Sequence, residues 1–259
     1  MNQNYLKILV AVMAVVLFTS VAACASEMDT RIESSAKQSY VFKTYLKNDA
    51  IKVQSKEGTV TLTGTVAEEA SKSLAQETVV SLPGVKSVDN QLQLKGERPP
   101  KNSDTWISLQ VKYSLLYNRY VSGLNTHVLV NDGIVTLSGE AKSQAQKDLA
   151  GEYAKDIEGV KDVKNEMTVA KEDSDTLEQT MGEKIDDASI TAQVKMAFLT
   201  HKSTSAFKTG VETNNGVVTL SGNTPNEAGK AIATKVANEV NGVTKVINNT
   251  IIDDSLAKN

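Results

Sequence analysis

Apolar positions along this chain fall into two rhythms that alternate three times. Ile32, Ala36 and Tyr40 are spaced by four, as are Ile107, Val111 and Leu115, and again Ile190, Val194 and Phe198. That spacing puts each trio on one face of a helix. Each row gives way to a period of two. Thr126 to Val130 precedes Asn131-Asp132-Gly133, and then Val135 and Leu137 share one face while Thr136 takes the other. Alternation of this kind predicts two strands, and Asn-Asp-Gly between them predicts a tight hairpin turn. Lys56-Glu57-Gly58 and Asn214-Asn215-Gly216 hold the same place elsewhere. A second helix is expected from about Lys142 to Ile157, closed by Gly159 as a C-cap. A last strand then alternates Val163, Asn165, Met167 and Val169.

The pattern is a true repeat. "GTVTLTG" (Gly58 to Gly64), "GIVTLSG" (Gly133 to Gly139) and "GVVTLSG" (Gly216 to Gly222) are followed by Gly84, Gly159 and Gly242, each opening Gly-Val-x-x-Val-x-Asn. Ile32, Ile107 and Ile190 stand at the same offsets of 75 and 83 residues as the hairpin glycines. The extra residues between the second and third copies therefore belong to a linker. The fold class is α+β: three tandem α-β-β-α-β units, each a three-stranded sheet packed by two helices. The units span 29–94, 104–169 and 186–254, joined by a Pro-containing linker (95–103) and an acidic one (170–185). Units of this size lie near the lower limit for an independent core. The nine glycines read as structural: turn formers, caps, and, at Gly64, Gly139 and Gly222, points where the chain leaves its strand.

The first 24 residues read as a signal peptide. One lysine, Lys7, precedes an apolar run from Ile8 to Phe18 and then small residues, a run too short to span a bilayer. Val21-Ala22-Ala23-Cys24 resembles a lipobox, with Cys24 as the residue to be lipidated; Ala23-Cys24-Ala25 also permits ordinary cleavage before Ser26. Cys24 is the only cysteine, so no disulfide forms within the chain. Either route takes the mature protein out of the cytoplasm, the first with a lipid anchor at Cys24.

Charge and composition remove several function classes. Lys and Arg total 28 against 31 Asp and Glu, with a pI near 5.6. No basic face of the kind nucleic acid needs follows from that balance. The only histidines, His127 and His201, are far apart, and no pair of Cys or His has metal-ligand spacing. His127 falls in a strand, on its solvent side. Glu172, Asp173 and Asp175 in the acidic linker lack the spacing of a calcium loop. No phosphate-binding loop or triad signature is present. The expectation is a protein without enzymatic activity, cofactor or metal.

The unit order, the Gly-x-Val-Thr-Leu-[Ser/Thr]-Gly hairpin and the later Gly-Val-x-x-Val-x-Asn resemble the BON domain, and the third unit, opening "DDASITAQVKMAFL", matches it best. The resemblance implies a non-enzymatic envelope protein with a role in phospholipid binding, membrane integrity under osmotic stress, or periplasmic chaperoning. The best-known relatives carry two such units, so their division of roles does not transfer to three.

One helix departs from the pattern. In "TWISLQVKYSLLYNRYVSG" the repeated row Ile107, Val111 and Leu115 takes one side, and Trp106, Leu109, Tyr113, Leu116, Tyr117 and Tyr120 gather on the other, with Lys112 and Arg119 beside them. A helix apolar on two faces needs two burial partners. Trp and Tyr suit the headgroup boundary of a membrane and also suit protein interfaces. These eight residues are the candidate binding site, for anionic phospholipid at a membrane surface. Packing against a neighbouring unit and binding of unfolded envelope clients are the alternatives, as is a scaffold role in an envelope or secretion complex.

Overall fold

The computed structural model describes residues 27–121, 126–170, 185–201, 204 and 209–253. The signal segment with Cys24, and all but the ends of the acidic linker, lie outside the described residues. Unit one runs α1 (27–38), α2 (Tyr40–Thr44), β1 (Ala50–Lys56), β2 (Thr59–Val66), α3 (Glu69–Val80), β3 (Ser87–Asn90) and β4 (Gln93–Leu94). Unit two runs α4 (Asp104–Tyr117), β5 (Thr126–Asn131), β6 (Ile134–Ala141), α5 (Gln144–Lys155), β7 (Asp162–Asn165) and β8 (Thr168–Val169). Unit three runs α6 (Asp187–Thr200), β9 (Thr209–Asn214), β10 (Val217–Thr224), α7 (Glu227–Asn238), β11 (Lys245–Asn248) and β12 (Ile251–Ile252). In each sheet the hairpin is antiparallel, and the last strand lies parallel to the hairpin's second strand.

That last strand is split in two, and the repeated asparagine splits it. Asn165 Nδ2 donates to the Lys147 carbonyl on α5 at 2.6 Å, and its Oδ1 accepts from the Met167 amide at 3.3 Å. Asn90 and Asn248 do the same with Lys72 and Lys230. The strand is pinned to the second helix, and the residue two beyond, such as Met167, turns into the core.

An aspartate in the first turn of each leading helix grips the hairpin turn. Asp104 accepts from the amides of Asp132 (2.8 Å) and Gly133 (2.9 Å), and Asp187 from Asn215 and Gly216 at the same distances. Asp29 holds Glu57 and Gly58 and also takes the Ser55 hydroxyl, which pulls its carboxyl below the ordinary range. These bonds tie the start of the helix to the tip of the hairpin in every unit.

Three expectations need correcting. Gly139 lies inside β6, not at its end, and pairs with Thr126 at φ 118°. A side chain at its counterpart, Gly64, would run into the Ala50 carbonyl of the neighbouring strand. Gly159 is not the helix cap: α5 ends at Lys155 with Asp156 as C-cap, and Gly159 sits in the following turn at φ 86°. There a Cβ would lie 3.0 Å from Ile107 Cδ1, so a side chain would crowd α4's core row. Tyr40 does not continue the core row of unit one. The helix breaks at Ser39, whose hydroxyl accepts from the Phe42 amide at 3.4 Å. Ile107, Val111 and Leu115 do reach unit two's core, and Ile190, Val194 and Phe198 unit three's.

Candidate functional site

The second face of α4 is spent largely on its neighbours. Tyr117 is 1% exposed and Tyr113 9%. Both belong to the core of unit one, together with Ala188, Ala192 and Met196 from α6. The Tyr117 ring meets Tyr45 of unit one edge-on at 5.5 Å and stacks on Tyr113 at 6.2 Å. Burial, then the neighbouring Tyr45 and Glu68, push the Tyr117 hydroxyl well above its ordinary pKa. Leu109 and Leu116 pack half-buried on the same cluster, while Trp106 leans on unit two's own core. Two of the three tyrosines assigned to membrane contact are thus shut between units, where the small residues on α6 let unit one, α4 and α6 close together.

Unit three secures this junction from its side. Asp186 caps α6 by accepting from the Ser189 amide (2.9 Å) and also accepts from the Tyr40 amide (2.8 Å). Ser189 Oγ accepts from the Val41 amide at 3.1 Å. The break in unit one's helix leaves those two amides without helical acceptors, and unit three supplies them. Lys195 Nζ meets Glu77 Oε2 at 2.7 Å, both partly buried.

Arg119 and Tyr120 are not on the helix at all. α4 stops at Tyr117, Asn118 is extended and bridges Val240, and the Tyr117 carbonyl accepts from the Asn241 amide at 3.1 Å. The Arg119 guanidinium donates to the carbonyls of Val240 and Val243, so it binds unit three. Only Lys112 and Tyr120 of the eight candidates remain openly exposed, apart from the partly engaged Arg119. Beside this seam lies a cluster that the sequence did not single out. His201 Nδ1 is 2.8 Å from Asp156 Oδ2, its ring meets Tyr153 edge-on at 5.2 Å, and Tyr153 donates to Glu239. Burial raises the Glu239 carboxyl, and Arg119 partly offsets that. His127, by contrast, is exposed on its strand.

What the junction leaves uncovered is a groove of about 470 Å³. Its apolar floor is Trp106, Leu109, Tyr113, Met196 and Leu199, the last 59% exposed. Its rim is the start of α3 (Glu68, Glu69) and the linker between units one and two (Glu97, Arg98, Pro99). All three units contribute, so the groove is a product of the triple arrangement. Among the described residues no cluster of three His, Cys, Asp or Glu could hold a metal, and no helix is long and apolar enough to cross a membrane.

Comparison with known proteins places these units. The BON domain profile matches residues 28–96, 103–171 and 186–254. The chain belongs to the BON domain family. It is 33% identical over 143 residues to Osmotically-inducible protein Y of Escherichia coli, covering 54% of this chain and 71% of that protein. It is 34% identical over 116 residues to Outer membrane lipoprotein DolP of Haemophilus influenzae, covering 45% of this chain and 56% of that one. A solved structure of CdsD, a structural protein of the type III secretion system of Chlamydia trachomatis, aligns with 88% of this chain and 92% of its own. At 17% identity and a TM-score of 0.24 it carries no argument about arrangement. Within the three BON units, the hairpins and pinned strands build the scaffold. The leading helices, through their second faces, build the junction and its groove.

Proposed function

We propose that this BON-domain protein is a non-enzymatic component of the bacterial envelope that supports its integrity under osmotic stress, and that it acts by holding apolar segments of unfolded envelope proteins in the three-unit groove. The groove carries this reading: an apolar floor with an exposed leucine, walled by polar residues, is the usual form of a binding cleft. Similarity to an osmotically inducible protein and to an outer-membrane lipoprotein supports the setting. Lipidation at Cys24 would tether the groove at the outer membrane, while cleavage before Ser26 would leave it diffusing in the periplasm. Docking on phospholipid through the α4 stripe is the weaker reading, because Tyr113 and Tyr117 are buried and Arg119 is engaged by unit three.

The test is aggregation of an unfolded outer-membrane β-barrel protein diluted from urea, followed by light scattering. The protein is expected to suppress scattering, and Leu199→Asp, at an exposed position, to lose most of that effect while keeping the wild-type melting temperature. No suppression by the wild-type chain, or equal suppression by the variant, would overturn the reading.

A further inference from the structure

The rim of the groove carries more negative charge than its contacts use. Arg98 is its only cation, and Arg98 Nη2 already pairs with Glu69 Oε1 at 2.7 Å. Glu97 makes no ion pair among the described residues. Glu68 stands at the N-cap of α3, yet its side chain makes no capping hydrogen bond. It lines the same groove, and burial lifts its carboxyl above the ordinary range, Lys112 counteracting and Asp49 adding to the lift. Lys112 offsets that lift only in part, so the half-buried Glu68 carboxylate would gain from a further cation.

Resting on the groove as the working surface, the geometry points to a selective occupant: an extended peptide segment whose apolar side chains cover Trp106, Leu109 and Leu199 and whose adjoining Lys or Arg meets Glu68 and Glu97. Apolar contact alone would accept any greasy segment. The carboxylates of Glu68 and Glu97 add a preference for basic flanks and oppose acidic ones, and they oppose anionic lipid headgroups on the same ground. Each half-exposed ion pair contributes roughly a two- to fivefold factor in affinity. A Lys-flanked segment is therefore expected to bind about tenfold more tightly than its Glu-flanked counterpart, with a difference that shrinks as salt screens the pairs.

Trp106 is the only tryptophan in the chain and forms part of the groove floor, so its emission reports occupancy. The intact mature protein is titrated with the hexapeptide Lys-Leu-Phe-Leu-Leu-Lys, with its Glu-flanked version, and with phosphatidylglycerol vesicles. The same titrations are run on Glu68→Gln and Glu97→Gln. The expected result is a Trp106 shift with the Lys-flanked peptide, about tenfold weaker with the Glu-flanked one, little with vesicles, and a loosened Lys-flanked complex in either variant. Equal binding of both peptides, or variants that bind the Lys-flanked peptide as the wild type does, would refute charge selection while leaving the groove as a binding site. An equal response to anionic vesicles would refute it in favour of lipid. No response to any probe would remove the groove itself.

Discussion

Replacing Tyr117 by alanine probes the junction at its centre. The side chain is 1% exposed and touches elements of two units, Tyr45 from unit one and Tyr113 on its own helix, within a cluster that includes Ala188, Ala192 and Met196 of unit three. Truncating a buried aromatic side chain costs about 3–5 kcal/mol. For a protein of this size each kcal/mol is worth roughly 2–4 °C in Tm, so Tyr117→Ala is expected to melt roughly 6–20 °C below wild type. Tyr117→Phe should behave oppositely. The phenol oxygen is buried with no hydrogen-bond partner among the described residues, and an orphaned buried donor costs about 1–3 kcal/mol. Removing it is expected to leave stability unchanged or raise it by about 1 kcal/mol. Calorimetry and urea unfolding read both, and because the core is shared, the loss should appear in one cooperative transition. A tyrosine displayed for membrane contact would respond differently, since surface substitutions fall within about 0.5 kcal/mol. A Tyr117→Ala protein melting within about 2 °C of wild type would refute the junction.

Two further substitutions probe the hairpin clamp of unit two and the seam between units two and three. Asp104→Ala removes the acceptor of two turn amides, Asp132 and Gly133, and is expected to cost about 1–3 kcal/mol in urea unfolding, where Asp104→Asn recovers part of the loss. Glu239→Gln tests the seam between units two and three: burial raises the folded-state pKa of this carboxyl, so its contribution to stability is full below the unfolded value of 4.5 and is lost as pH rises through the folded value. The variant keeps an acceptor for Tyr153, so it should melt above wild type at pH 7, with the gap closing as pH falls below about 4; a gap independent of pH would contradict the assignment.

Much of the fold was legible in the sequence, because local rules govern it. Two-fold alternation, Asn-Asp-Gly and the four-spaced apolar rows each act over a few residues, and repetition at fixed offsets confirmed them three times. The aspartate clamps were legible in principle, since Asp29, Asp104 and Asp187 stand at a constant distance from the turn glycines. The site was less so. The helical wheel exposed two apolar faces on α4, but periodicity says nothing about what covers the second. The partner face on α6 carries Ser189 and Ala192, which look unremarkable in sequence and matter because they permit close approach. Nor does the wheel hold past Tyr117, where Asn118 leaves the helix to pair with Val240 and carries Arg119 away from the stripe. Glu68 and Glu97 acquire meaning only when the linker folds beside α4. His201 and Asp156 meet across 45 residues that no local pattern connects.

The three BON units close into one body that buries Tyr113 and Tyr117 of α4 and leaves an acidic-rimmed groove. Hydroxyl-radical footprinting of the intact mature protein reads side-chain exposure directly, residue by residue. Tyr120, at 52% exposure, and Leu199, at 59%, are predicted to oxidise readily, while Tyr113 and Tyr117 stay protected, with or without anionic vesicles. Oxidation of Tyr117 at the rate of Tyr120, suppressed only when vesicles are added, would contradict the account and return the stripe to the membrane.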